Sequence, residues 1–175
     1  MSANRSRQAR QLATMLTERA GVKVTLDYHD TVHIRGRAWH IHWTDGPTWR
    51  QMVTLAAGLA DRFPSLDIAQ MCPARSHTAL GEAAAVLVWL HLDPANAEMY
   101  PSVWPQYACD AISYPESSAT VWLRRAEALL SMAAGRIDSE VCNAVDARLR
   151  SDGWAGVLEW LDEIASGGRR LRAVQ

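Results

Sequence analysis

The stretch HIRGRAWHIHW, residues 33 to 43, carries three of the chain's six histidines and two of its eight tryptophans. Imidazoles titrate near neutrality and ligate divalent metals, so histidines gathered beside a carboxylate can hold an ion or move protons. Asp27, His33 and His40 make such a set if one sheet face carries them all. Two imidazoles and a carboxylate suit a borderline divalent ion such as zinc, with positions left open for water or substrate. The same face also suits nucleic acid. Lys23, Arg35 and Arg37 would contact phosphates, with Arg5, Arg7 and Arg10 of a basic first helix behind them. His33, His40 and His42 would stack or hydrogen-bond. No His-Glu-x-x-His pattern, phosphate-binding glycine loop or dinucleotide fingerprint is present, and no serine or cysteine lies next to the histidines in sequence. No catalytic residue is therefore assigned.

Periodicity says what must position these side chains. Val22, Val24, Leu26 and Tyr28 alternate with Lys23, Thr25, Asp27 and His29, which is a half-buried strand. Val32 and Ile34 suggest a second strand, and Trp39, Ile41 and Trp43 a third, ended by the turn signal Asp45-Gly46-Pro47. A loop at His29, Asp30 and Thr31 and a tight turn at Gly36 and Arg37 would pair Tyr28 with Val32, Leu26 with Ile34, Ile34 with Trp39 and Val32 with Ile41. The expected result is a three-stranded antiparallel meander. Its apolar face packs on helices, and its polar face sets Asp27, His33 and His40 in one row, with Arg35 beside Thr25 and His42 beside Thr31.

Helices flank the meander. Ala9, Leu12, Leu16 and Ala20 recur at helical spacing before Gly21, and Thr48 with Gln51 has capping-box spacing ahead of Met52, Ala56, Leu59 and Phe63. The order helix, three strands, helix resembles that of double-stranded-RNA-binding domains and of three-stranded DNA-reading sheets. The second helix departs from the RNA-binding pattern, since Arg50 is its single cation where that family has a lysine cluster. Residues 76 to 94 read as an almost wholly apolar helix closed by Asp93 and Pro94. Pro94 to Pro115 reads as a long loop that would offer Trp104 to a partner. Helices over 117 to 135, 138 to 153 and 153 to 167 complete an antiparallel set. His91 and His77 are expected to be structural.

At 175 residues with 49% hydrophobic and 21% charged residues, the expectation is a single α+β domain, with a helix-meander-helix part over 1–66 and a helical part over 67–175. The longest apolar run, residues 83 to 92, is about half a membrane span, and the basic N-terminus lacks a signal core, which suggests a cytoplasmic protein with no membrane partner. Cys72, Cys109 and Cys142 are expected to be reduced. Net charge is −1, yet residues 1 to 50 hold eight Arg/Lys against four Asp/Glu, while 51 to 175 hold ten against fifteen. Arginine dominates, with Lys23 the single lysine, as in a GC-rich bacterial genome. The leading expectation is a nucleic-acid-associated or regulatory binding protein with a basic, histidine-rich sheet face and no cofactor. A small enzyme with a divalent metal on the Asp/His/His set is the alternative, and a protein-interaction module, self-association included, the third.

Overall fold

The computed structural model describes residues 3–31, 36–113 and 119–167. The fold is mixed α and β, and the chain divides into two compact units, Met1–Ser76 and His77–Gln175.

The first unit opens with helix α1, Ala3–Ala20, whose apolar stripe of Ala9, Leu12, Leu16 and Ala20 is buried as its spacing requires. Gly21, at φ 68°, ends the helix, and its N–H donates to Thr17 O at 3.1 Å. The Thr17 hydroxyl then accepts from Val24 N at 3.0 Å, tying the turn to strand β1, Val24–Thr31. Strand β2, Gly36–Thr44, runs antiparallel to it, with Val24 opposite Trp43, Leu26 opposite Ile41 and Tyr28 opposite Trp39. Trp39, Ile41 and Trp43 are buried against α1 residues and against Met52 and Ala56 of α2, Trp49–Ala57. Each such side chain contributes roughly 1.5–3 kcal/mol by leaving water. The capping box of α2 forms as its spacing implies, with Gln51 N donating to Thr48 Oγ1 at 3.3 Å and Thr48 N to Gln51 Oε1 at 2.8 Å. Gly46 is required between β2 and α2. At φ 63° it is left-handed, and a Cβ there would meet Val22 Cγ1 at 2.6 Å.

The sheet is mixed, and not the antiparallel meander expected. His29 to Thr31 continue β1 rather than looping, and Gly36 and Arg37 begin β2 rather than turning. Leu26 and Tyr28 thus find apolar partners directly on β2, which buries the same residues without an intervening strand. The expected second strand, Val32 to Ile34, lies outside the described residues. The third strand is β3, Cys72–Ser76, which pairs parallel to β2 with His40 opposite Cys72 and His42 opposite Ala74. The sequence CPARS has no β-branched residue and contains a proline, which an edge strand tolerates.

The second unit is helical. Helix α3, Ala79–Leu92, is buried around most of its circumference, capped by the Thr78 hydroxyl and closed at Asp93. The segment after it is not a loop. Two 3₁₀ turns, Pro94–Glu98 and Pro101–Val103, lead into α4, Trp104–Ala111. Pro105 stands in the first turn of α4, where a missing N–H costs nothing. Trp104 is fully buried and donates to Met99 O at 3.3 Å, so it is a core residue and not a partner contact. Helices α5, Ala119–Met132, and α6, Ser139–Ala165, finish the unit. Gly153, at φ 68°, breaks α6 at the place where the sequence expects one helix to end and the next to begin. Arg125 grips Asp162 in a fork of 3.2 and 2.8 Å, and Arg124 adds a third bond at 3.1 Å. His91 is exposed at the end of α3 and accepts the Trp154 indole N–H at Nδ1. Among the described residues no helix is long and apolar enough to cross a membrane.

Two stability measurements check this architecture. Ile41→Ala should cost about 2–5 kcal/mol in urea unfolding, because Ile41 is 1% exposed at the centre of the first core. The hydrogen bond from Arg125 holds the Asp162 carboxyl below its ordinary value, outweighing desolvation. The ionised carboxylate therefore stabilises the fold above the unfolded value near pH 3.9, and that contribution fades as pH falls through the folded value. Asp162→Asn should lose about 1–2 kcal/mol at neutral pH and flatten the acid limb of the stability profile.

Candidate functional site

The polar face of the sheet is set by the parity of the β1–β2 pairing. Thr25 lies opposite His42, Asp27 opposite His40, and His29 opposite Ala38. Every apolar partner pair falls on the other side, so the imidazoles share one surface. Ala38 is small, which leaves the His29 ring free to lean along the diagonal toward His40. The two rings stack at 3.9 Å between centroids and 13° between planes. His42 lies 6.0 Å from His40 and 6.1 Å from His29, also nearly parallel.

Metal-ligating atoms of His29, His40 and His42 all lie within 4.8 Å of one another. Two nitrogens on one tetrahedral zinc stand roughly 3.3 Å apart, given Zn–N bonds of about 2.0–2.1 Å. The nitrogens must close by up to about 1.5 Å, within reach of ring rotation. Stacked rings direct their in-plane lone pairs side by side, so uptake of an ion would require the exposed His29 ring to turn out of the stack. Nε2 of His40 and of His42 are both shielded from solvent with no hydrogen-bond partner among the described residues. Shielded ring nitrogens of this kind ordinarily have one. The Asp27 carboxylate stands 3.7 Å from His42 Nε2, too far for a hydrogen bond, with the Asp27 side chain 68% and the His42 side chain 38% exposed.

Electrostatics favours a neutral His40 ring. Partial burial lowers the His40 pKa from its ordinary 6.5, and the neighbouring His29 and His42 lower it further, against an opposing pull from Asp27. Neutral imidazole is the form that binds metal.

The expected site residues are only partly brought together. His40 and His42 share the face with Asp27, and Lys23 lies at its end beside Thr25 and His42. His33 and Arg35 lie outside the described residues. Arg37 belongs to the opposite face, where its guanidinium sits 5.3 Å from the centre of the Tyr28 ring. The row expected as Asp27, His33, His40 is Asp27, His40, Cys72 across the three strands. Cys72 is half-buried, and its Sγ has Gln70 O at 4.0 Å. His42 pairs with Thr25 and not with Thr31. His29 is the member that the sequence reading set aside in a loop; its place in the alternation, two residues after Asp27, was the available signal.

In metal-free protein, the His40 ring should titrate below pH 6.5 by NMR, lower still in Asp27→Asn and higher in His29→Ala. The unfolded chain then binds the extra proton first, so stability is full above about pH 6.5 and falls as pH drops through the lowered value. Unchanged stability between pH 7.5 and 5.5 would contradict this.

No protein-family model, curated protein or solved structure matches the chain, and the guide to its function is the chemistry of these side chains.

Proposed function

We propose that the first unit binds a divalent transition metal, zinc foremost, through His29, His40 and His42, and that the protein is a small metal-dependent enzyme. The carrying observation is the convergence of three imidazoles to within 4.8 Å, two of them with shielded and unpartnered Nε2 atoms. Three neutral imidazoles leave at least one coordination position open, as in catalytic zinc sites and unlike closed structural ones. An ion held there lowers the pKa of a bound water toward neutrality, and Asp27 stands where it can orient that water or take its proton.

A nucleic-acid-binding role for Lys23, Arg37, His40 and His42 has weaker support. Arg37 lies across the sheet from the histidines, and Asp27 places a carboxylate among them. Phosphate contacts work through a continuous positive surface, which these positions do not form.

Zinc titration by calorimetry should show about one ion per chain. Affinity should fall roughly a hundredfold or more in His40→Ala and in His29→Ala/His42→Ala. Zinc should also raise the melting temperature of the wild type and not of those variants. Wild-type protein that takes up no zinc, nickel or cobalt after chelator treatment and dialysis would overturn the proposal.

A further inference from the structure

A groove of about 440 Å³ opens beside His42, within the size range of small-ligand sites. Its floor follows the row below the imidazole cluster, where Thr25, His42 and Ala74 are partners across the three strands. Ala74 keeps that floor low, and Lys23, Thr44 and Ser76 also line it. Lys23 and the Thr25 hydroxyl are the groups that favour an anion. Lys23 is exposed and makes no hydrogen bond or ion pair to a described residue, and the Thr25 hydroxyl is equally unengaged. Thr44 Oγ1 and Ser76 Oγ lie 2.8 Å apart, with Ser76 Oγ also 3.3 Å from Trp43 O. No Asp or Glu is among the described lining residues.

Charge sets the class of ligand. A divalent ion held by His29, His40 and His42 beside one carboxylate would carry a net +1, Lys23 would bring the local charge to +2, and the Arg75 guanidinium, which also lines the groove while donating to Asp45 O and Gly46 O, adds to the positive field. That matches the dianion of a phosphate monoester, whose oxygens accept from ammonium and hydroxyl donors alike. We propose that this groove holds the phosphate group of a phosphorylated small-molecule substrate, with Lys23 as its point charge and Thr25 as a neutral donor. This rests on the metal-dependent reading for the chemistry next door, though phosphate binding by Lys23 and Thr25 can be measured separately. A nucleic-acid backbone offers single charges strung along a polymer, for which one lysine in a short groove is a poor match.

Inorganic phosphate is the probe, titrated into the full-length protein with and without zinc, alongside a zinc titration of each variant. Lys23→Gln and Thr25→Val change exposed side chains, so both should fold as the wild type does. Phosphate affinity should fall about tenfold in Lys23→Gln and severalfold in Thr25→Val, with zinc affinity unchanged. Acetate should not compete at equal concentration. Equal phosphate affinity in wild type and both variants would overturn the groove assignment while leaving the metal site standing, since phosphate would then be bound by the ion alone. Phosphate bound in a Lys23-dependent way by protein that takes up no metal would uphold the groove and overturn the metal reading. Preference for an oligonucleotide over phosphate, lost in Lys23→Gln, would overturn the small-molecule assignment.

Discussion

The parity of the β1–β2 pairing is the constraint from which the first unit follows. Because side chains alternate along a strand, placing Leu26 opposite Ile41 and Tyr28 opposite Trp39 fixes the side on which every other residue of the hairpin must lie. A shift of one residue would turn Trp39, Ile41 and Trp43 to solvent and bury Asp27 and His40. The indoles and Ile41 together hold several kcal/mol of burial energy on the correct register, far more than the polar face can oppose. The imidazole cluster is thus held in place from beneath by an apolar core that makes no contact with its chemistry.

That separation lets the polar face carry unfavourable groupings. Burial and the neighbouring His29 and His42 rings disfavour protonation of His40, and two shielded ring nitrogens with no hydrogen-bond partner among the described residues are costly in a small sheet. Neither arrangement gives the fold any stability that a pair of threonines would not give better. A local defect of this kind, supported by a well-packed opposite face, is what a site for an external ligand looks like before the ligand arrives.

The hairpin's inward and outward sets were legible in the sequence because alternation is a strong signal in Val24 to Tyr28 and Ala38 to Trp43. Both long helices of the first half, the Thr48/Gln51 capping box and the break at Gly153 were legible for similar reasons: each has its own periodicity or a residue whose backbone preference is local. Strand pairing was not. Val32 and Ile34 look like a strand by composition, whereas Cys72 to Ser76 looks like a loop, and nothing local says that β2 will take a parallel partner some thirty residues downstream. Helix α4 was hidden by Pro101 and Pro105 near its start, since proline marks a break in one context and a helix start in another. As for the site, Asp27 beside His40 was found from parity alone, while His29 was lost to a loop that does not form.

The same parity divides the basic residues. Lys23 follows Thr25 and Asp27 to the imidazole side, whereas Arg37 follows Trp39 to the other, where it lies against the Tyr28 ring. Within the positive excess of the first fifty residues, Lys23 and Arg37 fall on opposite faces of the sheet and so do not add to one positive surface. Among the described residues, the histidine side carries Lys23, the Asp27 carboxylate and the three imidazoles. That set attracts little by long-range charge, and it acquires a strong field only when a cation occupies the imidazoles. On the metal reading proposed above, affinity for an anion in the Lys23 groove would be coupled to the ion, since each added charge improves the binding of its opposite.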